Sequence, residues 1–219
     1  MIKLPDFRKS FEYENNFYLS CTSSRIAKML SHYELYKMTS SIPGSIVECG
    51  IFKGASLSRF TIFREIFGDT LSKKIIGFDT FDKFPETGFT PDNKMQNKFI
   101  KEAGNQSISK NQMLKVLKHK GLEQKIELVQ GDITKTVPKY VKEHPELKLS
   151  LLNLDTDVYE PAVTILKYLY PRITKGGILI LDDYGVFPGE TKAVNEYFDW
   201  GKIKIQKLKF STLHYIIKK

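Results

Sequence analysis

The run Gly44–Ser58, GSIVECGIFKGASLS, predicts a buried strand over Ser45–Cys49, a tight turn carrying Gly50 and Gly54, and the start of a helix. Isoleucine and valine supply the apolar strand, and the glycines let the backbone turn sharply and approach a ligand. A helix entered this way directs its free N–H groups into the crevice at the strand end. Further apolar strands end in a similar way. KIIGF (74–78) runs into Asp79, and Ile126–Gln130 into Gly131-Asp132. LSLLNL (149–154) runs into Asp155-Thr156-Asp157, and Ile178–Leu181 into Asp182-Asp183. Such a series of strands, loops and helices binds one ligand across the carboxyl ends of parallel strands. The expectation is an α/β fold and a nucleoside-cofactor enzyme.

At 219 residues, the chain fits one domain: an N-terminal arm over 1–22, then a single domain over 23–219. The 41% hydrophobic and 27% charged content is that of a globular protein. No apolar run approaches the ~20 residues of a membrane span. MIKLPDFRKSFEYENN lacks the apolar core of a signal peptide, which sets the expectation of a cytoplasmic protein. Two cysteines are too few for a disulfide framework, and Cys49 reads as a small packing residue. The net charge of +9 is open to three readings: a nucleic-acid surface, an anionic small substrate, or a solvated exterior. The lysines are scattered, without a long basic run, so no nucleic-acid partner is expected.

Between these landmarks, residues 1–20 carry five aromatics without a clean period. Ser23–Met38 predicts a helix capped by Ser23 or Ser24, with Ile26, Met29, Leu30 and Tyr33 in register. Helices are also expected over 56–67, 112–120, 137–143 (entered through Pro138), 160–169 and 191–200. Gly176-Gly177 is read as a break before the fifth strand, and the tail as two antiparallel edge strands. Residues 82–110 are irregular apart from a short helix over 94–103, and a segment of that length is usually functional, often a lid.

Asp155, Asp182 and Asp183 each follow an apolar strand directly and emerge at one edge. Converging carboxylates repel one another unless a cation lies between them, and hard oxygen ligands favour Mg²⁺. The alternative is that each caps a separate turn. Asp79 suits a bidentate grip on ribose hydroxyls, or caps the following turn. Asp157 reads as the N-cap of the helix near Glu160, or else as an outer ligand or substrate contact. His32, His119, His144 and His214 lie away from these strand ends, and none has a triad-like context. No GxxxxGK[ST] loop or nucleophile elbow is present, which argues against kinase and hydrolase chemistry.

PGSIVECGIFKGAS, FDTFDKFPE, LDTDVYEPAVTILKYLYPRITKGGILILDDYG and ETKAVNEYF together resemble the macrocin O-methyltransferase family over residues 23–200. The resemblance implies a doubly wound, seven-strand class I methyltransferase fold, Rossmann-like and mostly parallel, with an antiparallel C-terminal strand. It implies S-adenosyl-L-methionine and Mg²⁺ as cofactors. Glu48, Cys49, Gly50, Gly54, Ala55 and Ser56 would line the methionine side, with Asp79 and Thr80 at the ribose. Gly131 and Asp132 would lie near the adenine, although family members tend to carry an aromatic at 132 or 133. Asp155 would touch the cofactor, share the metal with Asp182 and Asp183, and act as general base. The acceptor implied is a hydroxyl of a sugar or nucleotide-sugar, with a homodimer as the assembly. A catechol-like or amine acceptor, or a basic nucleic-acid-binding protein with a vestigial cofactor fold, are the alternatives.

Overall fold

Period-two alternation along the central strands sends neighbouring apolar residues to opposite faces of one sheet. The computed structural model describes residues 2–219. The chain runs through α1 (Ser10–Ser20), α2 (Ser23–Thr39), β1 (Ser45–Cys49), α3 (Ala55–Ile66) and β2 (Ile75–Asp79). It continues with α4 (Asn93–Ala103), α5 (Lys110–His119), β3 (Ile126–Gln130), α6 (Ile133–Glu143) and β4 (Leu149–Leu154). The last elements are α7 (Tyr159–Tyr168), β5 (Ile173–Leu181), α8 (Pro188–Tyr197), β6 (Gln206–Lys207) and β7 (His214–Ile217).

The seven strands lie in the order β3-β2-β1-β4-β5-β7-β6. β7 runs antiparallel to both of its neighbours and the remaining pairs are parallel. The tail strands therefore pair as expected, but only β6 is an edge. β7 is inserted beside β5. Ile46, Ile75, Leu151 and Ile178 face a layer built from α2, α3 and α5. Val47, Ile76, Leu152 and Leu179 face α6, α7 and α8. This is the doubly wound, three-layer arrangement expected. The order reverses between β1 and β4, so the crevice at their carboxyl ends is the place for a ligand.

Several local expectations are corrected. α2 buries Ser31, His32, Leu35, Tyr36 and Thr39, whereas Leu30 is 42% exposed. Its N-cap position is Thr22, so Ser23 and Ser24 lie inside the helix. α6 starts at Ile133, because the Asp132 carboxylate accepts from the Thr134 N–H (2.9 Å) and caps the helix there; Pro138 sits within it. β5 runs straight through Gly176-Gly177, where a Cβ on Gly177 would stand 2.8 Å from the Ser150 carbonyl oxygen. Gly177 permits close approach of β4, and neither glycine ends the strand. The N-terminal segment forms a helix, α1, that buries none of its residues. Among the described residues, no helix is long and apolar enough to cross a membrane.

Candidate active site

β1, β4 and β5 finish side by side, joined by backbone hydrogen bonds. The Asp155 N–H donates to the Cys49 carbonyl (3.0 Å), and the Asp182 N–H donates to the Leu154 carbonyl (3.0 Å). Gly50 turns at φ +90°, and a Cβ there would fall 1.7 Å from the Asp155 carbonyl oxygen. Only glycine allows the two strand ends this contact. Gly54, at φ +82°, occupies the N-cap of α3 and starts that helix toward the crevice. Ala55 and Ser56, in its first turn, line the crevice with Asp155 and Asp182.

Asp79 is nearly buried and does more than end its strand. One carboxylate oxygen accepts from the N–H groups of Ile51 (2.7 Å) and Phe52 (3.1 Å), the other from Phe81 (2.6 Å). It therefore pins the glycine turn to β2. Thr80 and Asp132 line the same cleft, although the Asp132 carboxylate is already used as the α6 cap. Gly131 turns at φ +135° beside them, its N–H donating to the Asp79 carbonyl (2.9 Å). Cys49 is fully buried in the apolar layer, a packing residue in its side chain. Glu48 is also fully buried; its Oε1 accepts from the Ser56 hydroxyl and its Oε2 has no partner. Burial pushes its carboxyl up to about 8, against the hydrogen bond from Ser56.

Asp155, Asp182 and Asp183 are brought together as the sequence predicts, with one ligand oxygen from each lying within 4.8 Å of the others. Asp182 Oδ1 and Asp183 Oδ2 are buried without a hydrogen-bond partner. Burial, joined by the Asp182 charge, raises the Asp155 carboxyl well above the carboxylate range. Burial, together with the Asp157 charge, does the same to Asp183. Asp182 goes the other way: despite burial, Lys28 and His32 hold it far below that range. An all-carboxylate donor set with orphaned oxygens fits a hard divalent cation such as Mg²⁺.

Two residues reach this cluster unexpectedly: Lys28, which the sequence did not single out, and His32, which was expected to lie away from the strand ends and instead stands beside Asp182. Both project from the buried side of α2, and the Lys28 ammonium donates to Asp182 Oδ2. His32 is fully buried, stacked on Phe60 (5.0 Å between ring centroids), with Nε2 3.6 Å from Asp182 Oδ1. The available signal was their i, i+4 spacing in line with Leu35, Tyr36 and Thr39. A lysine and a histidine inside a buried stripe need a partner. Glu190 was also missed; it is fully buried and accepts from the Asp183 N–H (3.1 Å).

Asp157 is not the helix cap expected of it. The N-cap position of α7 is Val158, and Asp157 sits in a left-handed conformation (φ +63°) with its carboxyl beside Asp183. Burial and the Asp155 charge push it up to about 7. Phe52 and Phe81, at φ +48° and +53°, share this strained conformation around the same crevice. The cap for α7 comes from elsewhere. Asp92, fully buried, accepts from the Tyr159 N–H (3.1 Å) at the start of α7 and from the Gly189 N–H (2.6 Å) at the start of α8.

Asp92 belongs to the 82–110 segment, which folds over the crevice. Its stem closes through a Lys83–Gln106 bridge and the Phe84 N–H to Asn105 carbonyl bond (3.0 Å). Glu160 of α7 holds the tip, accepting from the Gly88 N–H (2.8 Å) and the Thr87 hydroxyl (2.9 Å). Phe84 and Ser107 contribute to the cleft wall at Asp79, while Phe99 of α4 faces Asp182 and Asp183.

A family model for the macrocin O-methyltransferase TylF matches residues 21–210. The chain belongs to this family. Within the macrocin O-methyltransferase family, it is 27% identical over 153 residues to the 8-demethyl-8-(2,3-dimethoxy-alpha-L-rhamnosyl)-tetracenomycin-C 4'-O-methyltransferase of Streptomyces olivaceus, covering 68% of this chain and 56% of that protein. It is 27% identical over 165 residues to the demethyldecarbamoylnovobiocin O-methyltransferase of Streptomyces niveus, covering 72% and 59%. The matched region thus spans under two thirds of the length of either relative. A solved calicheamicin methyltransferase superposes with a TM-score of 0.70 at 25% identity, covering 95% of this chain and 85% of that one. The solved O-methyltransferase NovP superposes with a TM-score of 0.75 at 22% identity, covering 89% and 80%, which speaks for the fold.

Proposed function

We propose that this chain is an S-adenosylmethionine-dependent O-methyltransferase that methylates a hydroxyl of a sugar with the help of Mg²⁺. The observation that carries the reading is the contact, through Gly50 and Asp155, between the glycine turn and a trio of converging carboxylates. Names of the relatives, which include methyltransferases of a rhamnosyl tetracenomycin and of a novobiocin precursor, support a glycosidic acceptor.

In this reading, Glu48 and the Gly50–Ser56 turn receive the methionine end, and Asp79 and Thr80 face the ribose. Gly131 and Asp132 border the adenine side. Asp155, Asp182 and Asp183 hold the metal. When bound, the cofactor supplies an electrophilic methyl group, and the divalent cation supplies a Lewis acid that lowers the acceptor's pKa. The chain's own contribution is placement and proton acceptance. Asp155 would accept the proton that the acceptor hydroxyl gives up on methylation. Alignment of donor and acceptor over the rigid strand ends lowers the barrier further, by several kcal/mol in favourable cases (~7 or more).

Calorimetric titration with S-adenosylmethionine, with and without Mg²⁺, is the first test, followed by turnover on a rhamnoside panel. Tight cofactor binding is expected. Turnover should be abolished by chelator and cut by about 10³-fold or more in Asp155→Asn, the scale of a lost general base together with a weakened metal site. Turnover unchanged by both treatments rules out the metal-assisted mechanism, and no cofactor binding in either condition rules out the methyltransferase.

A further inference from the structure

Lys28 differs from the other lysines and arginines of the crevice. Arg25, Lys53, Arg59 and Lys98 line the same cleft, but among the described residues Lys28 alone of these five is paired with a member of the acidic trio. Its ammonium donates to Asp182 Oδ2 and also feels the charges of Asp155 and Asp183. Burial works against its charge, yet the three carboxylates together raise its proton affinity above that of an ordinary lysine. The ammonium is therefore a permanent positive charge at one corner of the trio.

The two neighbours of Asp182 on α2 differ in their freedom to move. His32 is fully buried and stacked on Phe60, a fixed wall beside Oδ1. The Lys28 side chain is 31% exposed, against 2% for Asp182, and it borders the open cleft. A flexible four-carbon stem with an exposed flank can carry its ammonium into the cleft while α2 stays in place. The trio also has acceptor capacity that Lys28 leaves unused, because Asp182 Oδ1 and Asp183 Oδ2 are buried without a partner. One ammonium at a corner offsets three converging carboxylates only in part. A divalent cation among three oxygens that lie within 4.8 Å of one another offsets them better. An ammonium and a dication held side by side repel each other, so Lys28 and the metal compete for the same negative charge.

We infer that Lys28 is the resident counter-ion of the acidic trio: it holds Asp182 in the metal-free protein and gives ground when a divalent cation enters. The cation is then an exchangeable activator rather than a fixed part of the fold. This role rests on the metal-site reading of Asp155, Asp182 and Asp183 given above. It differs in sign from the two simpler roles open to Lys28. Loss of a counter-ion weakens the metal-free fold and strengthens metal binding. Loss of a residue that only positions Asp182 weakens metal binding. Loss of a purely structural ion pair lowers stability equally with and without metal.

The test is calorimetric titration of chelator-treated, desalted protein with MgCl₂ alone, joined by scanning fluorimetry with and without saturating MgCl₂. Wild type is compared with Lys28→Met, which removes the charge at similar length, and Lys28→Arg, which keeps it. Lys28→Gln carries the same comparison should the methionine variant not fold. Lys28→Met should bind Mg²⁺ about tenfold more tightly or better. Without metal it should melt about 5 °C or more below wild type, and saturating MgCl₂ should recover most of that loss. Lys28→Arg should bind Mg²⁺ as wild type does. Mg²⁺ affinity that is unchanged or weaker in the neutral variant overturns the proposal, as does a melting loss that metal does not recover. Tightening in Lys28→Arg as well assigns the effect to side-chain shape and overturns it too. If wild type binds no Mg²⁺, the metal-assisted reading falls and this role with it, while S-adenosylmethionine binding is judged by its own titration.

Discussion

Glu48 shows how a single residue makes the stability of this protein depend on its ligands. Burial holds its carboxyl near 8 in the folded chain, against about 4.5 when unfolded. A carboxyl that resists ionisation in the native state contributes fully below the unfolded value and loses that contribution as pH rises through the folded one. Protein free of metal and cofactor should therefore lose about 3 kcal/mol from this group between pH 5 and pH 8, roughly 5–10 °C of melting temperature. Glu48→Gln stays neutral and should flatten the profile by that amount in scanning fluorimetry; an unchanged slope would remove Glu48 from the explanation. Asp155, Asp183 and Glu190 are also raised, chiefly by burial, and act with the same sign, whereas Asp182 acts against them. The residues read directly from sequence were those that follow an apolar strand at once, because strand polarity alone places them at one edge. Lys28, His32 and Glu190 reach the same spot from helices. Their arrival depends on helix rotation and packing: of the stripe expected on α2, Met29 and Tyr33 do pack against the core and Ile26 is half-buried, but Leu30 is exposed, and the fully buried face lies to one side, through His32, Leu35 and Tyr36.

At the scale of elements, strand bounds were legible wherever an apolar run was bracketed by turn residues; β1, β3 and β4 have the expected limits. Helix starts were less so, because two of the caps are not local. α7 and α8 begin after Val158 and Phe187, neither of which makes a side-chain cap bond, and Asp92 serves both from 67 and 97 residues away in sequence. A carboxylate shared between two helix N-termini satisfies free N–H groups and meets two favourable dipoles. Asp92→Ala orphans both donors, at roughly 1–3 kcal/mol each. Hydrogen exchange followed by mass spectrometry should show faster exchange over 82–110 and at the first turns of α7 and α8, with β1–β5 still protected. Gly189→Ala should act similarly from the other side, since its Cβ would fall 2.1 Å from an Asp92 oxygen. Exchange rising equally across the sheet would mean that Asp92 holds the whole domain together rather than this segment.

Across the whole molecule, buried charge is divided between the two edges of the sheet. The carboxyl edge carries the acidic trio, and the amino edge carries two buried cations that bind backbone. Arg64 donates to the carbonyls of Lys73 (3.3 Å), Lys125 (3.3 Å) and Leu122 (3.2 Å). Lys73 donates to the carbonyls of Thr39 (3.1 Å) and Ile42 (2.6 Å). Arg64→Met should cost about 2–4 kcal/mol and lower the melting temperature by roughly 5–15 °C, while leaving the calorimetric affinity for S-adenosylmethionine unchanged. A parallel loss of affinity would show that the two edges are coupled. The 82–110 segment touches neither set of buried charges through its anchors. It leaves and rejoins the domain at one short stem, and Asp92 and Glu160 fasten it to the backbone and side chains at the starts of α7 and α8. It is thus no freely exchangeable insert. A loop of different length or composition placed between Phe81 and Ser107 would have to bring its own carboxylate to the starts of α7 and α8, because Asp92 travels with the segment.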